Sequence, residues 1–379
     1  MKIKAIRTSD VDSYGISYAC QSILEGMLVA DKTLGVKFFS VTASSEVMGN
    51  INKPLLNPSF KKIGHKLLSP KALRMLTEYY YLSKLKKDDI TYIWPKNSID
   101  FYERLHHKGN LVVKECINTN LITAKKILDS EYARLDIVQQ NIITQEQINA
   151  EKIELNYTDF FFSPSLEVTK SLIRAGIEEE KILSTSYGLR EKELYKQDSA
   201  TRRGDVSEDF TAIFVGRIGV RKGVHLLLDY WAKSGIKGKL KLVGRVEPNL
   251  TQLVSSYLKR DDIEHVHFVK DLHSIFSQAD VFILPSLEEG SPLVTYLALG
   301  AGLPCLVSPM GSGGIIQNAV EGLVIEPHDE EKWVESLQKI VSDGALRSRM
   351  AKNSHDSASQ YLWKNVGLQR YELLKSKLI

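Results

Sequence analysis

The sequence predicts an α/β fold of two doubly wound domains, each built on a parallel sheet with right-handed crossovers. Three observations predict it. Short β-rich runs alternate with helical patterns almost throughout the 379 residues. These runs are apolar on nearly every residue, as strands covered on both faces must be. Finally, the eleven candidate strands are too many for one tidy sheet, and a polar, charged segment at 188–209 divides them as an exposed linker would. Ligands of such a fold belong at the carboxyl ends of the strands, in the cleft between domains.

In the first half the expected strands are 2–7 (KIKAIR), 36–41, 90–94, 111–115 (LVVKE) and 159–163, separated by helical stretches such as 15–30, 98–107, 119–129 and 165–175. In the second half they are 210–216 (FTAIFVG), 239–244, 263–268, 280–284 (DVFIL), 304–308 and 322–326. Helices are expected there at roughly 222–233, 250–259, 271–278, 292–300 and 329–342. The tail, 345–377, reads as helical and amphipathic, with Leu346, Met350, Trp363, Val366 and Leu374 among its apolar marks.

Composition excludes several classes. Hydrophobic content of 43% and charged content of 25% are ordinary for a soluble chain. A net charge of +4 is too mild for a nucleic-acid binder, which needs a clustered basic footprint. The three cysteines are far apart and form no metal or disulfide pattern, so a reducing, cytoplasmic setting is expected. No apolar run approaches the length of a membrane span, and the first residues lack the apolar stretch of a signal peptide.

Three loops carry the chemistry. The first strand of the second half ends at Gly216 and is followed by Arg217, then Lys222 and Gly223, then a helix. Two cations beside a helix N-terminus suit a phosphate or diphosphate, although they are equally readable as two solvated residues of a βα loop. The loop PMGSGGIIQNAV (309–320) is Gly-rich but is neither a dinucleotide fingerprint nor a Walker loop, and reads as a plain tight turn. The stretch PSLEEGSPLVTYLALG (285–300) sets Glu288 and Glu289 at the carboxyl end of a buried strand, with Pro292 in the first turn of the next helix. Burying carboxylates is costly without a partner. A helix cap accounts for one glutamate; it accounts less well for two at a predicted cleft.

Taken together, GR-x4-KG, a strand-linked PS-x-x-EG and a GG turn, in that order, resemble the family-four (group 1) retaining glycosyltransferases of GT-B architecture. The resemblance covers roughly 205–345; the first half matches more loosely, through DFFFSPS (159–165), GIEEEKILSTSYG (176–188) and a small-residue loop near Gly15. It implies an acceptor-side Rossmann-like domain at 1–187, a linker at 188–209, a nucleotide-sugar-binding domain at 210–362, and a helix at about 363–379 that crosses back to the first domain. The implied reaction moves a sugar from a nucleotide-diphosphate-sugar to an acceptor hydroxyl with retention, in surface glycan or glycolipid assembly.

Residue by residue, the resemblance assigns Arg217, Lys222 and Glu289 as catalytic. The two cations hold the diphosphate in place of a metal, and Glu289 contacts the transferred sugar. Gly15, Gly216, Ser291, Pro292, Leu293 and Val294 are implied on the donor, and Val266 and Phe268 beside its base. Neither a metal nor a cofactor is implied beyond the nucleotide-sugar co-substrate. Acceptors of the implied class are carbohydrate, lipid-linked or protein. Glu288 is expected either to cap the helix or to face solvent.

Two departures qualify this. Leu297 stands where the family's second glutamate holds the ribose, and 115–119 offer Glu115, Cys116, Asn118 and Thr119 where a histidine often lies. Glu115 and Asn118 are therefore the acceptor-side candidates, with Glu115 read either as a cleft residue or as a strand-end surface residue. The alternatives kept open are a sugar-phosphate synthase on the same fold and a catalytically degraded relative that binds a glycan or regulates a partner. His265 and His267 share a strand face without a third ligand, so no metal site is expected. The stretch 61–87 interleaves eight basic residues with leucines and tyrosines. It is readable either as a solvated helical face or as a peripheral surface on anionic lipid at the inner face of a membrane.

Overall fold

The computed structural model describes residues 1–12, 15–195, 210–269 and 271–378. All strand pairings among them are parallel, and they form two sheets. The first contains β1 (Lys2–Arg7), β2 (Gly35–Ser40), β3 (Asn52–Pro54), β4 (Ile90–Ile93), β5 (Val112–Glu115), β6 (Phe160–Ser163) and β7 (Ile182–Ser184), in the order β3-β2-β1-β4-β5-β6-β7. Its helices are α1 (Gly15–Ala30), α2 (Lys61–Leu67), α3 (Pro70–Lys84), α4 (Ile99–Lys108), α5 (Leu121–Leu135), α6 (Gln145–Asn156) and α7 (Leu166–Arg174). The second sheet contains β8 (Thr211–Val215), β9 (Lys239–Val243), β10 (Ile263–Val266), β11 (Val281–Leu284), β12 (Cys305–Val307) and β13 (Gly322–Val324), in the order β10-β9-β8-β11-β12-β13. Around it lie α8 (Val224–Ser234), α9 (Thr251–Val254), α10 (Leu272–Phe276), α11 (Leu293–Gly300), α12 (Pro309–Ser312), α13 (Glu330–Ser342) and α14 (Gly344–Ala358). The chain ends in α15 (Trp363–Ser376).

This is the expected fold class. Strand order reverses between β1 and β4 and again between β8 and β11, so each sheet has a switch point whose carboxyl-end crevice opens to a ligand. The register there pairs Ile6 with Ile93 and Phe282 with Ile213, all fully buried. That aligns the loops after β8 and β11 side by side.

The differences from expectation are local. Strands β3 and β7 were not anticipated; at three residues each they are too short for a periodic signal. The helix expected over 250–259 is broken into α9 and a 3₁₀ turn at Tyr257–Lys259. Helix α6 was also missed, although Thr144 and Gln147 form a reciprocal capping box at its start. Only the start of the expected exposed linker is described: Glu191 and Lys192 are exposed there, but the two ends of that stretch are not. Leu189 is fully buried and bridges Leu362, and Tyr195 is buried with its hydroxyl donating to the His273 carbonyl at 2.9 Å. The rest, 196–209, lies outside the described residues.

Helix α15 packs on α1 of the first sheet's layer, and two glycines make the approach possible. A Cβ on Gly26 would stand 2.5 Å from the Trp363 carbonyl oxygen, and one on Gly367 would stand 2.5 Å from Gly26 Cα. The helix is pinned by Arg370, which is fully buried, ion-paired to Glu115, and stacked over the rings of Phe162 and Tyr187 at 4.9 and 5.6 Å. Glu115 therefore neither lines the cleft nor sits at the surface. It is fully buried and bound by Arg370 and the Tyr92 hydroxyl, because a carboxylate at the end of a central strand must be matched by a charge.

Candidate functional site

The site begins with a glycine. Gly223 follows the 3₁₀ turn Val220–Lys222, has φ +66°, and a Cβ on it would meet the Pro285 carbonyl oxygen at 2.1 Å. Both the left-handed backbone and the contact exclude a side chain. The loop after β8 is thereby pressed against the loop after β11. Lys222 Nζ comes to 2.5 Å from Glu289 Oε1, and Arg221 Nε to 2.7 Å from Glu288 Oε2.

This resolves the two glutamates at 288–289. Both are buried, but toward different partners. Glu288 neither caps α11 nor faces solvent. Its Oε1 accepts from the Thr119 hydroxyl at 2.7 Å and the Thr119 N–H at 3.3 Å, while Arg221 holds Oε2. Glu289 lines a cavity of about 360 Å³ with Lys222 beside it. The contact to Lys222 is short but is not aligned as a hydrogen bond, so among the described residues the buried Oε1 has no directed donor. Buried carboxylate oxygens normally have one.

The same cavity gathers Gly216, Ser291, Pro292, Leu293 and Val294 from the second domain, and Asn118 from the first. Ile16 also lines it, one residue after Gly15, the exposed first residue of α1. Leu297 lines it as well and is half-buried. Two helices begin at or beside the cavity without a side-chain cap: α8 behind Lys222 and Gly223, and α11 at Leu293. Their first-turn N–H groups and dipoles make a positive rim.

Other expected residues lie elsewhere. The Arg217 side chain is 70% exposed and faces Glu247 at 3.9 Å. Strand β10 stops at Val266, and Phe268 beyond it is 75% exposed; neither residue lines the cavity. Ser291 does, but its hydroxyl is shared with the Tyr296 hydroxyl at 2.7 Å and the Gly313 carbonyl at 3.2 Å. The Gly-rich turn is used for packing: a Cβ on Gly311 would meet the Leu284 carbonyl oxygen at 2.1 Å. The rings of His265 and His267 lie 4.5 Å apart, and among the described residues no group of three or more His, Cys, Asp or Glu is placed to hold a metal ion.

Sequence reasoning missed Arg221. Burial would push its guanidinium down, but the Glu289 and Glu288 carboxylates outweigh that and hold it above its ordinary value. Its Nη2 also donates to Asn118 Oδ1 at 3.0 Å. The signal was present as a third cation in GRIGVRKG, but only the 3₁₀ turn shows that it lies between the acids.

The stretch 61–87 holds α2 and α3, with a break at 68–69 and a non-helical end after Lys84. Phe60, Ile63, Leu67, Met75, Leu76 and Tyr79 are exposed along α2 and α3, whereas Leu73, Tyr81 and Leu85 are buried in the core. Among the described residues, no helix is long and apolar enough to cross a membrane.

Comparison with known proteins finds similarity over the segment that carries this site. Residues 196–357 match the family model for glycosyl transferases group 1. An uncharacterized glycosyltransferase of Methanocaldococcus jannaschii is 27% identical over 171 residues, 43% of this chain and 44% of that protein, so the chain matches less than half of that relative's length. The N,N'-diacetylbacillosaminyl-diphospho-undecaprenol alpha-1,3-N-acetylgalactosaminyltransferase of Campylobacter jejuni is 22% identical over 80% of this chain and 82% of its own length. Sucrose-phosphate synthase from Thermosynechococcus elongatus shares the fold, with a TM-score of 0.73 and 18% identity over 100% of this chain and 99% of that one. The residues that build the cation–carboxylate loops, 216–223 and 285–294, fall inside the segment 196–357 that is similar to the glycosyl transferases group 1 family.

Proposed function

We propose that this protein transfers a sugar from a nucleotide-diphosphate-sugar to an acceptor hydroxyl with retention at the anomeric carbon. The observation that carries this reading is Glu289 Oε1, buried at the cavity wall beside Lys222 and, among the described residues, without a directed donor. A sugar hydroxyl would supply that donor. The uncapped N-termini of α8 and α11, with Lys222, would receive the diphosphate, and negative charge would grow on that group as the glycosidic bond loosens. Fixed positive groups placed where charge develops give the largest catalytic term in many enzymes. Arg217, now turned to solvent, would swing onto the phosphates when the donor binds. These cations would do the work of a metal.

The acceptor would approach from the side of Asn118 and Ile16, which line the cavity from the first domain. The Campylobacter relative's name describes a lipid-diphosphate acceptor. The exposed apolar side chains of α2 and α3, set among Lys62, Lys66 and Lys71, fit a peripheral position on anionic lipid. We place the protein at the inner, cytoplasmic face of a membrane, in glycan or glycolipid assembly.

The test is nucleotide release from a panel of UDP-, GDP-, ADP- and TDP-sugars, with and without EDTA. Slow, EDTA-resistant hydrolysis of one donor supports the reading. Absence of both turnover and calorimetric binding across the panel overturns it in favour of a catalytically degraded binding protein, with Leu297 as the first cause to examine.

A further inference from the structure

We infer that Glu288 is a positioning residue: with Arg221 it forms a strut to Asn118 and Thr119 that holds the two domains together and closes the inner wall of the donor cavity. The inference rests on the donor occupying the 360 Å³ cavity, as proposed above.

Two chain segments cross at this point. Asn118 lines the 360 Å³ cavity, whereas Asn120 lines a larger one of about 1090 Å³ on the far side. From the other domain, Glu289 lines the first cavity and Leu287 the second. Thr119 and Glu288, the residues between, meet in the middle at 2.7 Å. They are the partition. A second bolt lies beside it: the Ser165 hydroxyl donates to the Gly290 carbonyl at 2.6 Å. Gly290 has no room for a side chain, since a Cβ would stand 1.9 Å from the Ile117 carbonyl oxygen.

The chemistry makes this contact specific to a closed molecule. Glu288 is 2% exposed, and Arg221, from its own domain, satisfies only one of its oxygens. The other oxygen is satisfied by Thr119, from the opposite domain, through two donors. If the domains part, water must replace Thr119. The strut also reaches the site, because Arg221 Nη2 lies 3.6 Å from Glu289 Oε2. Closure and the placement of the sugar-facing carboxylate are thus linked through one guanidinium. Closure excludes water that would otherwise hydrolyse the donor.

Thr119→Val removes the hydroxyl donor and keeps the shape; Glu288→Gln removes the charge. Domain separation would be read by single-pair fluorescence transfer between labels at Gln147→Cys and Glu335→Cys, both exposed positions, with the three native cysteines buried. We expect Thr119→Val to raise the open population about ten- to hundredfold, the range set by losing a hydrogen bond to a charged group. We expect the ratio of donor hydrolysis to transfer to rise by a similar factor, with kcat lowered more than the donor KM is raised. An unchanged distance distribution in both variants overturns the strut, whatever their turnover. If the wild-type protein turns over no donor while Thr119→Val still opens the domains, the catalytic reading falls and the strut stands.

Discussion

Replacing Lys222 by alanine tests whether the loop after β8 meets a developing phosphate charge. Lys222 Nζ lies beside Glu289, and its side chain is 19% exposed, so it acts in a partly desolvated setting. A unit charge about 4 Å from another, at an effective dielectric constant of about 20, is worth about 4 kcal/mol. Removing one such fixed donor from an active site costs roughly a hundred- to a thousandfold in turnover, which agrees with that ceiling. Folding suffers far less. Arg221 Nη2 remains 3.6 Å from Glu289, so the carboxylate keeps a counter-charge. The loss of a partly exposed ion pair costs about 1 kcal/mol. That corresponds to a drop in Tm of roughly 2–4 °C for a domain of this size. The assay is nucleotide release under saturating donor, paired with a thermal melt. Turnover within about threefold of wild type, in a variant that melts normally, would refute the phosphate role of Lys222 and with it the arrangement proposed for the cavity.

Three further outcomes are expected. Arg370→Met leaves Glu115 buried without its cation, so unfolding free energy should fall by about 3–5 kcal/mol in a denaturant titration; a loss under about 1 kcal/mol would show that α15 is held mainly by its apolar face. Across the domain interface, Glu131 is bound by His225 at 2.7 Å and by His328 at 3.2 Å. Burial would raise the Glu131 carboxyl, but His225, Arg134 and His328 outweigh it and pull it from 4.5 to about 2, while burial pushes His225 down. A depressed carboxylate contributes stability above pH 4.5 that is lost as pH falls toward 2, and a depressed imidazole loses stability as pH falls below about 6.5. Both signs predict weakening on acidification, the Glu131 share being about 1–2 kcal/mol once solvent screening is allowed for. Glu131→Gln should flatten the low-pH part of that slope, and an unaltered pH dependence would exclude the cluster as its source. Finally, Leu67→Ser combined with Phe60→Ser should reduce co-sedimentation with phosphatidylglycerol vesicles about tenfold and leave transfer to a water-soluble acceptor unchanged; equal sedimentation of variant and wild type would remove α2 as the lipid-facing surface.

The layered α/β architecture was legible in the residue pattern alone, because two-sided burial makes parallel strands apolar along their whole length and helices between them amphipathic. Glycines at 216, 223 and 290 and acids at 288 and 289 marked the loops after β8 and β11 locally, and the resemblance they carry named Lys222, Glu289, Leu293 and Val294 as parts of one site. Those four residues do line the 360 Å³ cavity. The partners of the charges emerged only from the folded chain, because a charge's neighbour is set by packing between elements far apart in sequence. Glu288 turned out to be satisfied from Thr119, 169 residues away. Glu115, read from its strand as a cleft or surface residue, is claimed by Arg370, 255 residues further on. A buried charge has to be answered somewhere, but the sequence does not say by which residue, and here the answers came from the opposite domain and from the returning C-terminal helix.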